Sequence, residues 1–136
     1  MLQHLSQLPR TLLGLLVVAA VLRVGIVTWK FDNLSVDIDR YGVIGANLLK
    51  GDGFCTEAGR PTAFRPPLYP ILVAACGLLG GTAIVAVAHV LLGTASVGMT
   101  WKLGLRLGLS PRMCLAAAGL VTVDPLLLLY SSHLMT

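Results

Sequence analysis

The acidic side chains of this sequence are concentrated in one polar stretch. Five of the six Asp and Glu residues lie between residues 30 and 65, namely Asp32, Asp37, Asp39, Asp52 and Glu57. A carboxylate positioned beside an attacking hydroxyl can take its proton as a general base. Arg65 closes the stretch directly before two prolines. The stretch therefore concentrates the groups of this chain that could take part in acid–base chemistry.

The composition of the whole chain indicates a membrane protein. Hydrophobic residues make up 56% and charged residues 12%, whereas soluble domains carry about 25% charged residues. The formal net charge of +4 is spread along the chain. Nucleic-acid-binding proteins gather their basic residues on one face, so we do not expect a nucleic-acid partner.

Three apolar segments are predicted to span the membrane, at residues 11–29, 82–103 and 113–130. The first would rise about 28 Å as a helix, close to the thickness of the hydrocarbon core. A signal peptide is the alternative interpretation of this first segment, because a basic start precedes the apolar run. Further apolar segments follow, which favours a spanning helix.

The polar stretch belongs to a predicted outer loop, residues 30–81. Residues 35–50 are typical of a helix with Ser35 as N-cap, Asp37 in its first turn and Gly51 as terminator. This helix would place Asp37 and Tyr41 on one face and an apolar stripe on the membrane surface. Residues 67–79 form a second apolar segment that is too short to cross. We therefore predict an all-α fold with multi-pass transmembrane helices and interfacial helices in the first outer loop.

Basic residues predict the orientation. The turn between the second and third predicted spans contains Lys102, Arg106 and Arg112 without an acidic residue. The positive-inside rule places this turn in the cytoplasm, together with the N-terminus and Arg10. The outer loop and the C-terminal end are then expected on the extracytoplasmic side of the plasma (inner) membrane.

Three segments of the outer loop resemble a known family. Residues 37–41 read Asp-Ile-Asp-Arg-Tyr, residues 45–54 contain Ala-Asn-Leu-Leu followed by Gly-Asp-Gly-Phe, and residues 61–70 contain Phe-Arg-Pro-Pro-Leu-Tyr-Pro. Their order and spacing are similar to the first outer loop of polyprenyl-phosphate-dependent glycosyltransferases. That superfamily includes protein O-mannosyltransferases, aminoarabinose transferases of lipid A and lipopolysaccharide sugar transferases. The basic turn at residues 104–112 and the segment 123–136 also resemble this family.

The resemblance implies an inverting hexosyl or pentosyl transferase. Such an enzyme moves a sugar from a polyprenyl-phosphate donor to an acceptor lipid, glycan or protein at the outer membrane face. Asp37 matches the family's catalytic Asp and Arg65 its phosphate-binding residue, whereas Tyr41 and Asp39 are expected to contribute to substrate binding. No cofactor is expected, because the sequence shows no metal-ligand cluster; a divalent ion bridging Asp37 to a further acidic residue stays open.

Family members are much longer than 136 residues. We therefore expect this chain to be the N-terminal portion of a transferase membrane domain, and we do not expect the portion alone to be active. The alternative is a non-catalytic small multi-pass membrane protein or a transporter fragment. In that interpretation Asp124 and His89, which are ionisable residues inside predicted spans, would act between packed helices.

Overall fold

A computed structural model describes residues 10–57 and 60–134 of the chain. The fold is mostly helical, with 74% helix and six helices in the described residues, which confirms the all-α class. Two helices, Arg10–Trp29 and Thr82–Arg106, are long and apolar enough to cross a membrane by length and composition. Membrane association is thus supported at the level of two helices. The expected position of the N-terminus concerns residues outside the described part.

The elements follow one another with short connections. A 3₁₀ helix at Phe31–Ser35 separates the first two α-helices, and a small antiparallel hairpin pairs Cys55 with Pro61 and Glu57 with Arg60. In chain order the elements are α1 (Arg10–Trp29), α2 (Tyr41–Lys50), β1 (Cys55–Glu57), β2 (Arg60–Pro61), α3 (Leu68–Leu79), α4 (Thr82–Arg106), α5 (Pro111–Val123) and α6 (Pro125–Tyr130).

The helix predicted for residues 35–50 begins later than expected. Ser35 does not cap it: its hydroxyl donates to the carbonyl oxygen of Asp32 at 2.6 Å and ends the 3₁₀ helix. Arg40, with φ of 60°, then turns the chain into α2. The predicted end is confirmed, because Lys50 is the last helical residue and Gly51 adopts φ of 85°. Asp37 therefore lies outside the helix, and the prediction that it shares a helical face with Tyr41 is wrong.

The third predicted span, residues 113–130, is not one helix. Pro125 disfavours helical geometry at Asp124, which has ψ of 119°. The Asp124 carboxylate then accepts hydrogen bonds from the backbone N–H groups of Leu126 at 3.0 Å and Leu127 at 2.9 Å. The segment thus divides into α5, which has 13 residues and rises about 20 Å, and the six-residue α6. The prediction that residues 113–130 form one spanning helix is therefore wrong.

The chain divides into two compact units. The first contains residues 1–26 and 90–131. Its core is a cluster of fully buried small residues, one each from α1, α4 and α5: Ala19, Val97 and Ala118. Small side chains at helix contacts let the backbones approach closely, which is the usual packing of membrane helices.

Arg23 lies inside this first unit. Its side chain is completely buried on α1. It donates through Nη1 to the carbonyl oxygen of Ala19 at 3.2 Å and through Nη2 to that of Val121, on α5, at 3.3 Å. Gly93 of α4 provides the room for it, because a Cβ there would lie 2.8 Å from Arg23 Cδ. The arginine is thus a packed polar link between helices.

The second unit contains residues 27–89 and 132–136, described as far as residue 134. Helix α2 packs on α3 at Gly45, where a Cβ would lie 3.0 Å from Val73 Cγ1 and 3.2 Å from the carbonyl oxygen of Pro70. The absent side chain is what allows this close approach. Ile44 and Leu34 are fully buried beside the loop that carries Asp37.

Candidate functional site

Asp37 stands in the loop between the 3₁₀ helix and α2 and caps α2 from a distance. Its Oδ2 accepts a hydrogen bond from the backbone N–H of Val43 at 2.8 Å, and its carbonyl oxygen accepts one from the N–H of Arg40 at 3.3 Å. Gly42 makes room for the carboxylate, because a Cβ there would lie 3.0 Å from Oδ2. The positive end of the helix therefore faces this carboxylate.

The second oxygen of Asp37 has no such partner. Oδ1 is buried and makes no hydrogen bond within the described residues, and the same holds for Oδ2 of Asp39. Buried carboxylate oxygens are normally paired. These two belong to residues that are two positions apart in the loop.

Arg65 pairs with Asp39. The guanidinium Nη2 forms an ion pair with Asp39 Oδ1, and Nε donates to the carbonyl oxygen of Asp39 at 3.1 Å. The two side chains are 26% and 13% exposed, so the pair is partly shielded from solvent. These bonds use two of the five N–H donors of the arginine. Three donors remain for an anion.

Aromatic rings fix the position of this arginine. The Arg65 Cζ lies 5.3 Å from the centre of the buried Tyr41 ring and 4.4 Å from that of Phe64. Both separations are in the range of cation–π attraction. Tyr41 in turn meets Tyr69 of α3 edge to face, with ring centroids 5.1 Å apart. The Tyr69 hydroxyl lies 2.8 Å from Nε2 of His89 on α4.

An open depression of about 520 Å³ lies at Arg65. Aromatic, proline and small residues form its walls: Phe54, Thr62, Ala63, Phe64, Pro66 and Pro67. Its lining is mostly apolar, with the guanidinium as the charged group. Such a surface suits an amphipathic ligand that combines an anionic group with a hydrocarbon chain.

The four predicted site residues therefore meet in one unit. Arg65 contacts both Asp39 and Tyr41, and Asp37 lies two residues before Asp39 in the same loop. Asp37 and Asp39 carry two carboxylates against the single guanidinium of Arg65. Within the described residues, Arg65 pairs with Asp39 and not with Asp37.

Sequence reasoning missed two participants, Tyr69 and Phe64. Both lie in the segment around Pro66 and Pro67, where a conspicuous run of aromatic and proline residues was the available signal. Phe64 is placed by the backbone beside Arg65, whereas the contact of Tyr69 with Tyr41 depends on how α3 packs on α2. Packing of this kind is not encoded in local spacing.

The other ionisable residues in apolar segments have roles within the fold. His89 Nε2 is hydrogen-bonded with the Tyr69 hydroxyl, and the carboxylate of Asp124 caps the N-terminus of α6. Across residues 10–57 and 60–134, no group of three or more His, Cys, Asp or Glu side chains is placed to hold a metal ion.

Comparisons with protein-family models, with curated proteins and with solved structures find no match for this chain. The family resemblance therefore rests on the sequence motifs alone, and the geometry of the segment 30–81 is a separate observation.

Proposed function

We propose that this chain is part of a glycosyltransferase that moves a sugar from a polyprenyl-phosphate donor to an acceptor on the extracytoplasmic face of the plasma (inner) membrane. The observation that carries the proposal is the contact of Arg65 with both Asp39 and Tyr41, where Asp39 is two residues along the chain from Asp37. These residues supply carboxylate and guanidinium groups in the segment between the first two long apolar helices.

In this proposal Asp37 is the general base. Its Oδ2 accepts a hydrogen bond from the N–H of Val43, which fixes the position of the carboxylate. The acceptor oxygen attacks the anomeric carbon as its proton moves to Asp37, and the bond from that carbon to the phosphate oxygen breaks. The polyprenyl phosphate leaves with the bonding electrons. Because the acceptor attacks the side opposite to the leaving phosphate, the configuration at the anomeric carbon is inverted.

Arg65 binds the phosphate before and after the reaction. Its remaining N–H donors can bind the oxygens of an anion. Charge-assisted hydrogen bonds of this kind are stronger than those between neutral groups. Asp39 and Tyr41 hold the guanidinium from two sides and reduce its freedom. The depression beside Arg65 offers apolar walls to the first part of the prenyl chain.

The orientation is part of the proposal. Two crossings, by α1 and α4, would put the N-terminus and the turn after α4 in the cytoplasm and the loop outside, in agreement with the positive-inside rule. The loop lies between α1 and α4, so its side of the membrane does not depend on α5 or α6.

Donor binding and transfer test the two roles separately. Binding of a labelled polyprenyl-phosphate sugar to the chain in vesicles should fall about 10–100-fold in Arg65→Gln, since hydrogen bonds to charged groups contribute about 1.5–3 kcal/mol. Arg60→Gln, which neutralises an exposed arginine in the hairpin, is the matched control.

Sugar transfer is measured in membranes from cells that express the protein from its complete gene, with and without the substitutions. Asp37→Asn should lower the transfer rate about 10²–10⁴-fold while donor binding persists, because general-base catalysis contributes factors of that size. Asp52→Asn, at an exposed loop position, should transfer normally. Equal binding of a phosphate-free polyprenol, or full transfer by Asp37→Asn, would refute the proposal.

A further inference from the structure

A second feature, unrelated to the loop site, lies near the C-terminal end of α4 in the first unit. Lys102 and Arg106 are four residues apart on this helix and line an open groove of about 500 Å³. Residues at that spacing lie one above the other on a helix surface. Apolar and hydroxyl side chains complete the groove: Ser96, Met99, Thr100 and Leu103. The groove thus has a cationic end and an apolar body.

The charges of this groove are not neutralised by the protein. Residues 90–123 contain no Asp or Glu. Within the described part of the chain, Lys102 and Arg106 take part in no ion pair or side-chain hydrogen bond, and both are exposed. A third cation, Arg112, follows in the first turn of α5. The contacts of the fold therefore do not account for this concentration of positive charge.

The position of Arg112 strengthens this point. A tight turn, in which Gly108 has φ of 78° and the N–H of Leu109 donates to the carbonyl oxygen of Gly104, leads directly into α5. A cation in the first turn of a helix faces the positive end of the helix dipole, which is unfavourable. An anion bound from outside would offset this repulsion.

We propose that the groove at Lys102 and Arg106 binds an anionic phospholipid of the surrounding bilayer. Its phosphodiester would face the two cations, and one acyl chain would lie along Met99 and Leu103. The cations are at the end of a helix long and apolar enough to cross the membrane, which is the depth of lipid headgroups. Clusters of basic residues at this depth attract anionic lipids. The charge and the apolar lining both match such an occupant.

Lipid binding to the purified chain tests this inference. The chain is prepared in neutral detergent and titrated with phosphatidylglycerol or with phosphatidylcholine of the same acyl chains, and retained lipid is counted by native mass spectrometry. Phosphatidylglycerol should bind preferentially. Lys102→Gln/Arg106→Gln should weaken its binding about 25-fold, roughly fivefold for each charge removed.

Three controls separate this site from general charge effects. Lys50→Gln/Arg60→Gln removes one lysine and one arginine from the second unit and should bind lipid like the wild type. Lys102→Arg/Arg106→Lys keeps both charges and should retain binding. Met99→Trp fills the apolar body of the groove and should weaken phospholipid binding, whereas a headgroup-only contact would be unaffected.

The competing source of phosphate is addressed directly. Inorganic phosphate at the same concentration should not displace the lipid, because it cannot occupy the apolar body of the groove. Equal retention of phosphatidylcholine, unchanged phosphatidylglycerol binding in Lys102→Gln/Arg106→Gln, or full displacement by inorganic phosphate would each overturn the inference. None of these measurements depends on glycosyltransferase activity, so the two proposals fail or stand independently.

Discussion

A single methyl group added at Gly93 should destabilise the first unit. The Cβ of Gly93→Ala would lie 2.8 Å from Cδ and 3.4 Å from Cζ of Arg23, and closer still to Nε. Carbon atoms in contact are ordinarily about 3.5–4.0 Å apart. Because Arg23 is completely buried, its side chain has no solvent-filled space into which to move. It must shift away from the carbonyl oxygens of Ala19 and Val121, to which it donates.

The expected size follows from three contributions. Insertion of a methyl group into a packed interior costs about 1–3 kcal/mol. The two hydrogen bonds of Arg23 would weaken, and hydrogen bonds between side chains and helices in membrane proteins are worth about 0.6 kcal/mol each. Replacement of a helical glycine by alanine returns about 0.5–1 kcal/mol. The free energy of unfolding of Gly93→Ala should therefore fall by about 1–4 kcal/mol.

The assay is reversible unfolding of the purified chain in mixed micelles with increasing SDS, followed by far-ultraviolet circular dichroism. Gly119→Ala on α5 is the matched control, because a Cβ at Gly119 meets no atom within 4 Å. That variant should unfold like the wild type or be slightly more stable. In a background of Arg23→Ala, the Gly93→Ala penalty should disappear. Equal stability of Gly93→Ala and Gly119→Ala would refute the packing described for Arg23.

Three further substitutions test other contacts by the same unfolding assay. Gly104→Ala would place a Cβ 2.8 Å from the buried Sγ of Cys114 and should cost about 1–3 kcal/mol; the loss should shrink when Cys114 is also alanine, and an unchanged loss would contradict that contact. Tyr69→Phe removes the hydroxyl that meets His89 at 2.8 Å and should cost about 0.5–1.5 kcal/mol; wild-type stability would mean that the bond is not formed. Asp124→Ala uncaps α6 and should cost about 0.5–2 kcal/mol; the conservative Asp124→Asn should retain most of the stability, and equal losses in both would argue against capping.

The helical class and the long apolar helices could be predicted because they depend on composition and local periodicity. The end of α2 was equally local, since Gly51 readily takes the positive φ that stops a helix. The start of α2 was not. Ser35 is a good N-cap residue, but a 3₁₀ helix uses it instead, and Asp37 reaches the helix from outside. Residue preferences identify the side chains that could cap the helix, but they do not determine which of these side chains caps it in the fold.

The break in the third predicted span had a visible signal in the pair Asp124 and Pro125. Hydropathy averaged over residues 113–130 hides it, because one carboxylate among many apolar residues changes the mean little. The steric effect of proline on the preceding residue and the capping by Asp124 both act locally. Here the local backbone signal outweighs the average hydropathy.

The contacts of the candidate site residues were not predictable from the sequence. Motif spacing selected Asp37, Asp39, Tyr41 and Arg65, and the fold brings these residues into one unit. The pairing of Asp39 with Arg65 spans 26 positions and depends on the hairpin between them, which the sequence pattern did not reveal. Long-range pairing of this kind is set by tertiary packing.

Sidedness of the loop tests the central claim most directly, since sugar transfer at the outer face requires the Asp37 loop to be there. Single cysteines are introduced as Ile38→Cys and Leu107→Cys, at positions that are 72% and 70% exposed, in a chain whose three native cysteines are alanine. In intact cells a membrane-impermeant maleimide should label position 38, and it should label position 107 only after permeabilisation. Labelling of position 38 only after permeabilisation would place the carboxylates in the cytosol and contradict the account.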